Sequence, residues 1–103
     1  MFDLKKAMEM KKQMDEMQAK LDNMVTEGSS GDGKYTVTVA VTASKKVKNI
    51  DISEALVVSA DKEHLEDLLL IALERAMEKA QSLAESEARN SALGGGLSGL
   101  FGA

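Results

Sequence analysis

An α+β fold, with long helices on either side of a small antiparallel sheet, is the architecture this chain predicts, and three observations carry it. Apolar residues in the first ~24 positions recur at helical spacing; residues 35–42 alternate with a period of two; and residues 61–90 return to a helical stripe of leucine and alanine. At 103 residues the chain suits a single domain with a modest core, expected over 1–93.

The first helix is expected over 3–26. Ala7, Met10, Met14, Met17, Leu21 and Met24 follow one another at steps of three and four, which keeps them on one stripe. Such a helix is ~36 Å long, more than so small a core needs, so part of its seam is expected to meet something else. Glu16 and Lys20 stand in the favourable i,i+4 order, whereas Lys5–Glu9 and Lys12–Glu16 have the weaker reverse order.

Gly28-Ser29-Ser30-Gly31-Asp32-Gly33 reads as a turn-rich breaker. Beyond it Tyr35, Val37, Val39 and Val41 alternate with Thr36, Thr38, Ala40 and Thr42, predicting a strand over 34–43. Ala43-Ser44-Lys45-Lys46 is the expected turn. A returning strand follows over 46–53 with Ile50 and Ile52 toward the core, and a short third strand is assigned to 56–58. Ser59 or Asp61 can cap the last helix, expected over 61–90, whose first turns carry Asp61, Glu63, Glu66 and Asp67 at the positive end of the dipole. Its buried stripe is Leu65, Leu68, Leu69, Ala72, Ala76, Ala80 and Leu83, and a flexible Gly-rich tail is expected over 94–103. One helix can cover one sheet face, which leaves the first helix over. A homodimer would pair the open sheet edge and give the seam of Met10, Met14, Met17, Leu21 and Met24 a partner.

Several function classes lose their chemistry at the level of composition. Without cysteine there is neither a disulfide nor a thiolate metal site, and a lone His64 cannot build a His-based metal site or a nucleophile–base pair. No enzyme activity, cofactor or small-molecule substrate is therefore expected. Gly28 to Lys34 resembles the start of a phosphate-binding loop, but Tyr35 follows where Ser or Thr must hold magnesium, and a helix precedes where a strand should. His64 reads as a surface residue, and Glu63, Glu66 and Asp67 as complements to the helix dipole. The opening is charged from Asp3 onward and no apolar run is long enough for a bilayer, so neither a signal peptide nor membrane contact is expected, and the lack of cysteine is compatible with a reducing cytoplasm.

Charge is uneven beneath a net value of −4. Residues 34–52 carry four lysines against Asp51, a local +3, whereas residues 61–90 carry four basic against eight acidic residues, a local −4. Lys5, Lys6, Lys12 and Lys20 share an arc of about 120° roughly opposite the methionine seam, with Glu9 and Glu16 inside the same arc. Lys45, Lys46 and Lys48 form the purest basic patch, and the phosphates of a nucleic-acid backbone are its natural counterpart. Three aromatics and few arginines argue against reading of base edges. The competing interpretation is a protein-interaction module that docks a partner through the methionine-rich helix, with little or no DNA binding.

Three segments in this order resemble the YbaB/EbfC family of bacterial nucleoid-associated proteins. They are the Met/Gln/Lys-rich helix Met8–Met24; the Gly31-x-Gly33 break leading to Val37-x-Val39 and Ile50-Asp51-Ile52; and Asp61-Lys62-Glu63-x-Leu65-Glu66-Asp67-Leu68 with Ala72, Ala76 and Ala80 after it. The Gly/Leu tail from Gly94 to Gly102 is similar too. The chain departs from the family at Ala43, where its hairpin turn often has glycine, and near Glu54, where proline is common. The resemblance implies a cytoplasmic, two-layer α-β-β-β-α dimer associated with the nucleoid, whose long projecting N-terminal helices grip double-stranded DNA with little sequence dependence. Carried over by position, the implied DNA contacts are Lys5, Lys6, Lys11, Lys12 and Lys20, with Lys45, Lys46 and Lys48 at the hairpin.

Overall fold

A computed structural model describes residues 3–94. In chain order it holds α1 (Leu4–Asp22), β1 (Val25–Asp32), β2 (Tyr35–Thr42), β3 (Val47–Ile52), α2 (Glu54–Val58) and α3 (Lys62–Gly94). The strands form one antiparallel sheet in the order β1-β2-β3. The fold is thus α+β, with helix, three strands and helix in the expected order. The tail expected from residue 94 onward lies, past Gly94, outside the described residues.

Asp3 caps α1, accepting from the backbone amides of Lys5 at 3.1 Å and Lys6 at 3.4 Å. The helix ends at Asp22 and not near Thr26. Asn23 closes it by donating from its side chain to the Ala19 carbonyl at 2.9 Å, after which β-branched Val25 and Thr26 pair with Thr42 and Val41.

The glycine- and serine-rich segment is the larger correction: Gly28 to Asp32 belong to a strand, and the turn is only Gly33-Lys34. Gly33 has φ +57°, and glycine at the first of two loop positions is what a type II′ hairpin turn requires. Small residues populate β1 because α3 presses directly on it. A Cβ on Gly28 would lie 2.2 Å from the Ala76 amide nitrogen and 2.5 Å from the Ala72 carbonyl oxygen. Beside this contact Ser30 donates its hydroxyl to the Leu68 carbonyl, and Arg75 donates to the Ser29 carbonyl at 2.7 Å. The phosphate-loop look-alike is a strand seated on a helix.

Val37, Val39 and Val41 of β2 are fully buried against Leu68, Ala72, Ala76 and Ala80 of α3, and Leu56 completes this core. The segment 56–58 is not a strand but the end of α2. A strand would place Leu56 and Val58 on one face, whereas Leu56 is buried and Val58 is 75% exposed. Ser53 anchors the turn, its hydroxyl accepting from the Thr36 amide at 3.0 Å, and left-handed Ala60 separates α2 from α3. Of the two candidate caps for α3, Asp61 takes the role, accepting from the His64 amide at 3.1 Å.

α3 lies over β1 and β2 and stops short of β3. Ile52 therefore packs at the margin of the core, while Ile50, on the same face opposite Val39, remains 47% exposed beside exposed Val47. The whole is elongated, with extents of 64 × 28 × 18 Å, and α3 alone, at 33 residues, is ~50 Å long.

Candidate functional site

α1 buries none of its side chains. At 19 residues it is an arm ~28 Å long with no extended interface to any strand or to α3. Its methionine stripe is not a seam within the protomer: Met10 and Met14 are 62% and 69% exposed, and only Met17, Leu21 and Met24 near the foot are half-buried. Met10, Gln13, Met14, Met17 and Gln18 line a shallow open depression along the arm.

The eight lysines singled out by sequence divide into two groups. Lys5, Lys6 and Lys12 on the outer arm, with Lys45 and Lys48 at the hairpin, form no ion pair with a carboxylate among the described residues. The other three are engaged. Lys11 pairs with Asp15 one turn on at 3.1 Å, Lys20 pairs with Glu87 of α3, and Lys46 lies 3.3 Å from Asp22. The i,i+4 pairing expected between Glu16 and Lys20 gives way to the pair with Glu87, which is 13% exposed and better shielded from water.

The foot of the arm is held by the β2–β3 turn. Thr42 bonds Ser44 through their hydroxyls at 2.8 Å, Ser44 donates to Asp22, and Ala43 donates its amide to the Met24 carbonyl at 2.8 Å. The left-handed position in this turn is Lys45, at φ 70°, and not Ala43, so the missing glycine at Ala43 costs the turn nothing. Sequence reasoning missed this foot because Ser44 reaches Asp22, and Glu87 reaches Lys20, only through tertiary packing.

Donation from Ser44 holds the Asp22 carboxyl below its ordinary value; desolvation, the next largest influence, opposes it, and Lys46 and then Gln18 add to the lowering. A carboxylate with a lowered folded-state pKa contributes stability above its unfolded value, about 3.9, and loses that contribution as pH falls through the folded value. The foot is therefore intact across neutral pH and loosens only in acid. On going from about pH 5 to about pH 3, Asp22→Asn should lose less stability than the parent chain in urea denaturation; equal losses would show that Asp22 is not part of the acid response.

His64, expected at the surface, is half-buried, its ring 5.8 Å from that of Tyr35, over which the Lys34 ammonium sits at 5.3 Å. Among the described residues no cluster of three or more His, Asp or Glu is arranged to hold a metal ion, and no helix is long and apolar enough to cross a membrane.

A model of the YbaB/EbfC DNA-binding family matches residues 1–96. The chain is similar to a nucleoid-associated protein of Neisseria meningitidis, 43% identical over 75 residues, which are 71% of this chain and 66% of that protein. It also resembles nucleoid-associated proteins of Bradyrhizobium (44% over 69 residues, 67% of this chain and 63% of the relative) and Nitrobacter winogradskyi (40% over 73 residues, 71% and 67%). The chain thus spans about two thirds of the length of these relatives, 66% for the first. Among solved structures, an uncharacterized protein of Helicobacter pylori superposes with a TM-score of 0.69, covering 87% of this chain and 97% of that one at 21% identity, a likeness of fold.

Proposed function

Because the chain belongs to the YbaB/EbfC DNA-binding family, a family of binding proteins and not of enzymes, we propose that it is a nucleoid-associated protein of the cytoplasm that binds double-stranded DNA through phosphates with little regard to sequence. The observation that carries this reading is an arm with no packing role of its own, bearing Lys5, Lys6 and Lys12 free of carboxylate partners among the described residues. Lys11, whose partner Asp15 is itself exposed, can exchange it for a phosphate, and Lys45 and Lys48 add charge at the foot. Phosphate neutralisation needs only cations presented on a projecting surface, and within a net charge of −4 α1 sets five lysines against four carboxylates, a local +1.

The working unit is a homodimer. The open edge of β3 and the uncovered Val47 and Ile50 beside it favour a second copy there, and two copies supply two arms to one duplex.

The test is retardation of random-sequence duplex DNA across a salt series. A dimer that engages three or four lysines per arm neutralises roughly six to eight phosphates, so affinity should fall by on the order of a thousandfold to ten-thousandfold between about 50 and about 200 mM salt. A flat response would reject phosphate binding. It would favour the second reading, for which exposed Met10 and Met14 speak: docking of a partner protein on the methionine stripe.

A further inference from the structure

We infer that α1 is aimed by a two-point latch at its foot, Lys20 on Glu87 and Asp22 on Ser44 and Lys46, so that Lys20 and Lys46 are positioning residues for the arm and not phosphate ligands. This inference rests on the DNA-binding reading above.

These side chains make polar ties between arm and body, beside the half-buried Met17, Leu21 and Met24 at the same foot. Lys20 joins α1 to the far half of α3, and Asp22 joins it to the β2–β3 turn, accepting from Ser44, from Lys46 and, at 3.1 Å, from Gln18. The two ties reach different elements, so together they restrain tilt in two directions. Glu87 is mostly shielded while Lys20 is 57% exposed. Drawing Lys20 away to a phosphate would leave the Glu87 carboxylate without its counter-charge and facing a polyanion. Small tilts matter at the other end. Lys5 stands ~22 Å up the helix from Lys20 at ~1.5 Å per residue, so ~10° at the foot displaces it by ~4 Å. That exceeds the tolerance of a charge-assisted hydrogen bond.

Removing the carboxylates separates positioning from ligation, because the two roles predict opposite signs. Glu87→Gln and Asp22→Asn each delete a negative charge beside a lysine, which by electrostatics alone strengthens DNA binding. The latch predicts the reverse: affinity lower by about fivefold for each variant at fixed salt, with the slope of log affinity against log salt unchanged because no phosphate contact is lost. Each variant should stay folded at neutral pH with only a small loss of stability, so a change in DNA affinity is not a change in the folded fraction.

The chain has no cysteine, so nitroxides at Met8→Cys on the arm and Glu74→Cys on α3, diluted with unlabelled protein, report the arm-to-body distance within one chain. The distribution should broaden when Glu87→Gln and Asp22→Asn are combined. Stronger DNA binding by either carboxylate variant would overturn the positioning role and return Lys20 and Lys46 to the set of phosphate ligands. An unchanged distance distribution overturns the latch whatever the DNA result. Should the parent chain fail to retard DNA at low salt, the function proposed above fails by itself, and the distance measurement alone decides the latch.

Discussion

Exchange of Lys5, Lys6 and Lys12 together for Glu is expected to abolish retardation of duplex DNA at low salt, with affinity lower by on the order of a hundredfold or more. In the parent chain α1 presents five lysines against four carboxylates; the triple variant presents two against seven. All three side chains are exposed and free of ion pairs among the described residues, and α1 buries nothing. The substitutions should therefore leave the circular dichroism spectrum and the sedimentation behaviour of the chain as they were. Retained binding with an intact fold would move the DNA contact off the arm and leave the methionine face of α1 as its reason to project.

The second large effect falls on stability. Gly28→Ala puts a methyl group where the backbone of α3 already lies, 2.2 Å from one atom and 2.5 Å from another, and backbone cannot rotate away as a side chain can. Either β1 or α3 must shift, and the fully buried Ala72 and Ala76 leave no slack on the helix side. A cost of about 3 kcal/mol or more is expected, lowering the melting temperature of a domain this size by more than ~10 °C. Gly33, whose Cβ would meet open space, is the contrasting case: Gly33→Ala should cost only the left-handed backbone, about 1–2 kcal/mol. Urea denaturation of the two variants compares the effects directly, and a Gly28→Ala chain as stable as Gly33→Ala would mean that the helix is not seated on β1 as described.

Periodicity made much of this fold legible. The alternation of Tyr35 through Val41 marked the central strand, and the leucine–alanine stripe marked α3, because in each case one face is buried and the spacing of the elements is regular. The strand at 25–32 escaped because glycine and serine are turn formers by local preference. Here close approach of a helix overrides that preference, and nothing inside the segment announces the helix. The usable signal was remote: three alanines, Ala72, Ala76 and Ala80, at helical spacing imply something equally small across from them, and Gly28 and Ser30 supply it. At 56–58, β-branched Val57 and Val58 suggested a strand, but only Leu56 finds a place in the core, and a single helical turn after Ser53 delivers it. The lysines were all visible in sequence, yet which of them are engaged by carboxylates was not, since Glu87 and Asp22 reach Lys20 and Lys46 from elements distant along the chain.

That no residue of α1 is buried divides the chain into two regimes of substitution. Positions such as Gly28, Val39 and Ala76 answer to their neighbours, where a change of one methyl group is felt throughout the layered body. Positions from Leu4 to about Met14 answer only to helix propensity and to whatever the arm touches. The length, charge and apolar content of the arm can therefore drift, or be redesigned, without renegotiating the core, and two proteins built on the same body could differ widely in what they hold.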